Sequence, residues 1–229
     1  MASGSLTSAS LLALLQLASP ALPVGAYSYS EGLEMLVEQG AIATAAELQT
    51  WLATELTQGA IQLEAAIAHR AQQAAQRHQW SQLSAWNHWL SATRETSELR
   101  QQSWQMGQSL LKLLVALDAD CSEPAAQLGT PCNYAIAYGL AAAHWQWPAA
   151  VALLAYLQSW AANLTTAGVK LVPLGQTAGQ QILLALAAPL QAAAQAAIAR
   201  PDTQLDSCSW GTSLASLAHA RQYSRLFRS

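Results

Sequence analysis

Apolar residues recur along most of this chain at steps of three and four, the spacing that lines one face of an α-helix. Leu48, Leu52, Leu56, Leu63 and Ile67 form the first long stripe. Thr44 stands before it as an N-cap, and Glu47 three residues on completes a capping box, so the pattern predicts a helix from there to about Gln76. A second helix is expected over about Trp80 to Thr93. A third starts near Thr96 and carries Leu99, Met106, Leu110, Leu113 and Leu117, the seam of a helix packed among other helices. The Pro, Gly and Ser content of "DADCSEPAAQLGTPCN", Asp118 to Asn133, marks a loop. Helices resume at about Asn133–Trp145, Ala149–Gly168, Thr177–Ala199 and Thr212–His219, with Pro148 suited to a first turn.

Alanine is abundant in the later helices, as in "AAAQAAIA". It is the best helix former and lets helices approach closely. No segment alternates with period two over a strand length, and no unit repeats at a solenoid's period. The expected fold is all-α: a single-domain bundle of roughly seven to ten helices with a flexible C-terminal tail. Residues 1–10 are expected to be disordered, 11–219 to form the helical domain, and 220–229 to be the tail.

A chain of 229 residues buries roughly 70–75% of its unfolded surface, enough for a core without staples. Charged residues make up 10% of it, against about 25% in ordinary soluble domains. So few charges imply either a membrane or a surface covered by partners. The longest apolar runs, Ala149–Leu157 and Ile182–Leu190, stop at nine residues, where a membrane span needs about 20. "LLALLQLASPA" has the apolar character of a signal core, but Met1 to Ser10 supply no Lys or Arg before it. Three sparse cysteines do not form a disulfide framework. The cytoplasm is the expected compartment. A net charge of −3 with scattered Lys and Arg gives no footprint for nucleic acid.

Candidate chemistry is scarce. The five histidines (His69, His78, His88, His144, His219) lack the helical spacing of a metal site, and there is no Cys-x-x-Cys. "LGQTAGQ", Leu174 to Gln180, lacks the lysine and spacing of a phosphate loop and reads as a helix start after Pro173. Gly175 and Gly179, four apart, would permit a close helix crossing. No Gly-x-Ser-x-Gly elbow is present. Glu31 and Glu34 read as the exposed face of a first helical turn. Nine tryptophans, with Trp86 near Trp89 and Trp145 near Trp147, are too many to be wholly interior; some belong at a protein–protein contact.

The stretch "LLQLASPALPVGAYSYSEGLE", Leu14 to Glu34, follows no simple helix or hairpin logic. Its prolines, glycine and Tyr-Ser-Tyr-Ser make a rigid loop into a helix that Ser30 can cap. With "ETSELRQQSWQMGQSLL", "VKLVPLGQTAGQ" and the terminal "QYSRLFRS", it resembles the urease accessory protein UreF family from about residue 11 onward. The resemblance implies a non-enzymatic, dimerising helical scaffold that binds UreD (UreH in some systems) and recruits and regulates the GTPase UreG. The assembly delivers nickel to apo-urease. Nickel and GTP are then handled by partner proteins, with no cofactor held tightly here. One departure is "HARQYSRLFRS", where Ala220 and Arg221 replace an acidic pattern in the family's tail.

The single phenylalanine, Phe227, lies in that tail. The resemblance implies that Tyr223, Arg225, Leu226, Phe227 and Arg228 meet UreD/UreH; folding of the tail onto its own bundle is the alternative. Lys170, Gln176 and Gln180 are the expected UreG face. Pro23, Gly25, Tyr27, Ser28, Tyr29 and Glu31 form the motif loop, either structural or on a path for nickel. Two rival readings are a small helical enzyme, for which the sequence offers no paired Asp/Glu or Glu-x-x-His set, and a metallochaperone that holds nickel itself.

Overall fold

In the computed structural model, which describes residues 6–229, every regular element is a helix. The elements are α1 (Ser8–Leu17), α2 (Leu33–Glu38), α3 (Ala45–Gln58), α4 (Ala60–Gln76), α5 (Trp80–Thr93) and α6 (Ser97–Leu117). There follow α7 (Ser122–Leu128), α8 (Tyr134–His144), α9 (Ala149–Leu171), α10 (Gln176–Ala185), α11 (Ala187–Ala199) and α12 (Trp210–His219), with three short 3₁₀ turns between elements. The capping box at Thr44 and Glu47 is present, as is a Thr96 cap on α6.

Twelve helices among the described residues exceed the expected number, for identifiable reasons. The stripe read as one helix to Gln76 breaks at Gly59, which is extended (ψ 172°). A Cβ there would lie 2.1 Å from a Glu55 carboxylate oxygen, and the freed Ala60 N–H is capped by Ser209 Oγ at 2.8 Å. The helix expected over Thr177–Ala199 bends by 45° at Leu186. Pro189 is the cause: it has no N–H for the Ala185 carbonyl, and its ring crowds that carbonyl. The loop over Asp118–Asn133 contains a short helix, α7. At the N-terminal end, α1 begins at Ser8 under a Thr7 cap, within the stretch expected to be disordered; residues 1–5 of that stretch lie outside the described residues.

Helix α4 runs through the middle of the bundle. Ile61, Ala65, Ala66, Ile67, Ala68 and Ala71 are all buried against α3, α5, α8, α9 and α11. Its closest neighbour is α8, because small residues meet there: a Cβ on Gly139 would stand 2.5 Å from the Ala71 Cβ. Tyr134, Tyr138, Tyr156 and Trp147 pack as one aromatic group beside this crossing. Gly179 lets α10 lie close on α9, where an added Cβ would meet Val169 at 2.9 Å, whereas Gly175 faces open space. The tryptophans divide as expected: Trp147 is buried, Trp86, Trp89 and Trp145 are half-buried, and Trp210 is 76% exposed. No single helix among the described residues is long and apolar enough to cross a membrane.

Candidate functional site

The motif loop and the tail meet. After Pro23, Gly25 turns the chain through a left-handed conformation (φ 80°) into a 3₁₀ turn over Ala26–Ser28. Glu31 (φ 54°) and Gly32 (φ 85°) follow as two successive left-handed residues. They reverse the backbone so that α2 can start at Leu33. A side chain at Gly32 would sit 3.1 Å from the Ser216 nitrogen and the Thr212 oxygen, so α12 packs directly on this turn.

The turn forms a cradle for the end of the chain. The N–H groups of Ser30 and Glu31 donate to the Ser229 backbone oxygen at 2.6 and 3.0 Å, and Ser30 Oγ donates to it at 2.7 Å. The Arg228 N–H donates to the Ser28 carbonyl at 2.8 Å. Glu34 accepts from the Leu226 N–H on one carboxylate oxygen (2.6 Å) and from the Phe227 N–H on the other (3.0 Å). Its Oε2 also lies 2.8 Å from His219 Nε2. Ser229 Oγ donates to Gln102 Oε1 at 2.6 Å.

The tail read as flexible is therefore laid on its own bundle. Phe227 is only 6% exposed, and the Lys170 ammonium stands 5.9 Å above its ring. Its neighbours point outward: Tyr223, Arg225, Leu226 and Arg228 are exposed. A pocket that receives its ring explains the placement of Phe227 near the chain's end, while Leu226 beside it stays exposed.

Glu31 and Glu34 also depart from the exposed helical face expected of them. Glu34 is buried at the tail. The Glu31 carboxylate turns inward, accepting from Gln102 Nε2 (2.8 Å) and Trp160 Nε1 (2.9 Å). Ser30 is a poor helix cap, 3.4 Å from the Glu34 N–H, because its hydroxyl serves Ser229.

Behind Glu31 is a cavity of about 60 Å³, lined in part by Glu55, Glu64, Arg94, Gln102, Tyr134 and Tyr156. Arg94 is the one cation against three carboxylates in that lining. It pairs with Glu64, which also accepts from Tyr156 OH at 2.8 Å. Burial, and then the Glu64 charge, push the Glu31 carboxyl up to about 7. Burial opposes the charge on Arg94, but Glu64 more than offsets it and raises that group further. Burial also raises Glu55, although Thr212 and Ser209 donate to it. Among the described residues, no three His, Cys, Asp or Glu side chains come together to hold a metal ion.

The expected UreG face is exposed at all three positions: Lys170 in the last turn of α9, Gln176 and Gln180 on the first turns of α10. In the motif loop, Pro23 and Tyr27 are exposed, Ser28 is half-buried and Tyr29 is buried with its hydroxyl on Gln105. Sequence reading missed Glu64, Arg94 and Gln102. Glu64 had a legible signal, since its helical neighbours Ile61, Ala68 and Ala71 are all core residues.

A protein-family model described as UreF matches residues 42–187. The chain is 58% identical over 224 residues to the urease accessory protein UreF of Nostoc sp. (strain PCC 7120 / SAG 25.82 / UTEX 2576), covering 98% of each. It is 54% identical to the protein of that name from Microcystis aeruginosa (strain NIES-843 / IAM M-2473), over 96% of this chain and 97% of the relative. To that of Azoarcus sp. (strain BH72) it is 43% identical, over 96% and 95%.

Proposed function

Because the chain belongs to the UreF family of urease accessory proteins, which are not enzymes, we propose that it serves urease maturation as a scaffold. In this reading its tail binds UreD/UreH, and the face carrying Lys170, Gln176 and Gln180 recruits and regulates the GTPase UreG. Nickel and GTP are handled by those partners on the way to apo-urease. The scaffold works as a homodimer in the cytoplasm.

One observation carries the reading: Lys170 and Phe227, assigned to two different partner surfaces, touch each other. The surfaces adjoin, so one assembly can engage both. An exposed stripe on α12, Trp210, Leu214 and Leu217, adds apolar area of the kind that protein contacts use.

Co-expression with UreD and UreG, followed by sizing with and without GTP and nickel, tests the proposal. A complex containing all three proteins is expected. It should lose UreG when Lys170→Ala and Gln176→Ala are combined. Unchanged recruitment would place the face elsewhere, and normal urease maturation in cells lacking this chain would overturn the accessory role.

A further inference from the structure

We infer that the cleft between the C-terminal half of α4, the start of α5 and the end of α11 binds a small organic phosphate monoester, whose oxyanion meets Arg77 and whose apolar part lies along Ala74, Trp86 and Ile198. The cleft measures about 320 Å³, within the range of about 300–1,000 Å³ that small-molecule sites occupy. It shares no residue with the tail cradle, the Lys170 face or the exposed stripe on α12. Its walls are set before any ligand arrives. The Arg70 guanidinium donates to Asp202 Oδ1 at 2.7 Å and to the carbonyls of Ala66 (2.9 Å) and Arg200 (2.6 Å). Those bonds fix it 5.8 Å over the Trp86 ring.

Donors outnumber acceptors in this lining. Asp202 is its one carboxylate and is paired with Arg70, so the charge of Arg77 is the surplus. Arg77 is exposed, and among the described residues its guanidinium has no acidic partner. His69 lines the same cleft and is only 8% exposed. The Gln73 amide nitrogen stands 3.1 Å from its Nε2. An amide nitrogen can only donate, so Nε2 accepts and the ring proton sits on Nδ1, which has no hydrogen-bond partner among the described residues. Burial, and then the Arg70 charge, hold this imidazole below its usual range and therefore neutral. A buried N–H without an acceptor is costly, and an incoming oxyanion offers one.

Helix α5 adds to the imbalance. Its N-terminus has no side-chain cap and no acidic residue in the first turn. Gln79 at the N-cap and Gln82 in that turn both line the cleft. Unpaired N–H groups and the positive end of a helix dipole favour an anion. A phosphate, with three strong acceptor oxygens, suits donors that converge from two helices.

Phenyl phosphate is the probe, and the full chain with labelled isoleucine methyl groups is the reporter. Titration should shift the Ile198 δ1-methyl resonance saturably. The probe should bind about tenfold more weakly to Arg77→Ala, which loses a charge-assisted contact. Arg77 is exposed, so the variant is expected to keep its fold, and unchanged resonances of the other isoleucines check that. Phenol, which keeps the ring and lacks the phosphate, should bind at least about tenfold more weakly than phenyl phosphate to the unmodified chain. No saturable shift at Ile198, equal affinity in Arg77→Ala, or equal affinity for phenol would each overturn the inference. The accessory role is tested separately, by the co-expression experiment, and neither result decides the other.

Discussion

Glu34 and His219, separated by 185 residues in sequence, meet inside the protein with Oε2 and Nε2 2.8 Å apart. The same carboxylate receives the N–H groups of Leu226 and Phe227, so one side chain joins α2, α12 and the tail. Glu34→Ala leaves the buried His219 ring and Phe227 N–H, and the part-buried Leu226 N–H, without their partner and should destabilise the fold by about 2–4 kcal/mol. Glu34→Gln, which retains an acceptor oxygen, should lose less. Urea denaturation of both variants checks the order; a loss below about 0.5 kcal/mol for Glu34→Ala would show that the junction contributes nothing.

Stability should fall as pH rises through neutrality because of Glu31. Its carboxyl is pushed up to about 7 in the folded chain, from 4.5 ordinarily, by burial and then by Glu64. Between those values the folded protein holds a proton that the unfolded chain has released. The stabilisation from that proton is complete below about 4.5 and is lost as pH passes 7, with an upper bound of about 3 kcal/mol. Glu31→Gln keeps the volume and removes the titration. Urea midpoints of this variant between pH 5 and 8 should be flatter than those of the unmodified chain, and parallel profiles would rule Glu31 out as the source.

The helices were legible where one apolar stripe faces one core. Leu48, Leu52 and Leu56 gave α3 its place, and all three are fully buried. Their signal could not show the break at Gly59, because the stripe continues in phase across it. α12 shows why the site was harder to read. Apart from Ala215 its inward residues are polar, among them Thr212 on Glu55, Ser216 on Thr96 and His219 on Glu34. Its apolar residues Trp210, Leu214 and Leu217 face outward. Periodicity identifies such a helix but assigns its faces the wrong way round. Glu31 was misread for a related reason: a left-handed residue before the helix aims its side chain inward, and that conformation is not written in the spacing of charges.

Gly32 and Gly25 share a left-handed backbone but differ in surroundings, which makes them a matched pair. At Gly25 an added Cβ meets nothing within 4 Å, whereas at Gly32 it meets the α12 backbone at 3.1 Å. Gly25→Ala should cost about 1 kcal/mol from conformation alone. Gly32→Ala adds displacement of α12 and should cost about 2–3 kcal/mol, with faster exchange of the tail amides that depend on this turn. Thermal midpoints compare the two directly. Equal losses would mean that α12 moves away freely and that the turn does not position the cradle.

Lys170 stands over Phe227 and is also the proposed contact for UreG, and substitution can separate the two. Its ammonium above the Phe227 ring is an exposed cation–π contact, worth about 0.5–1 kcal/mol. Lys170→Ala should therefore lower stability only slightly and speed exchange at the Phe227 amide a few-fold. Lys170→Arg, which keeps a cation able to lie over the ring, should restore both. The proposed recruitment of UreG would depend on different chemistry, since a guanidinium and an ammonium present different hydrogen-bond geometry to a partner. If Lys170 meets UreG directly, Lys170→Arg recovers tail protection but not full recruitment. If recruitment instead tracks tail protection across both variants, Lys170 acts through Phe227, and the tail rather than the lysine forms the contact.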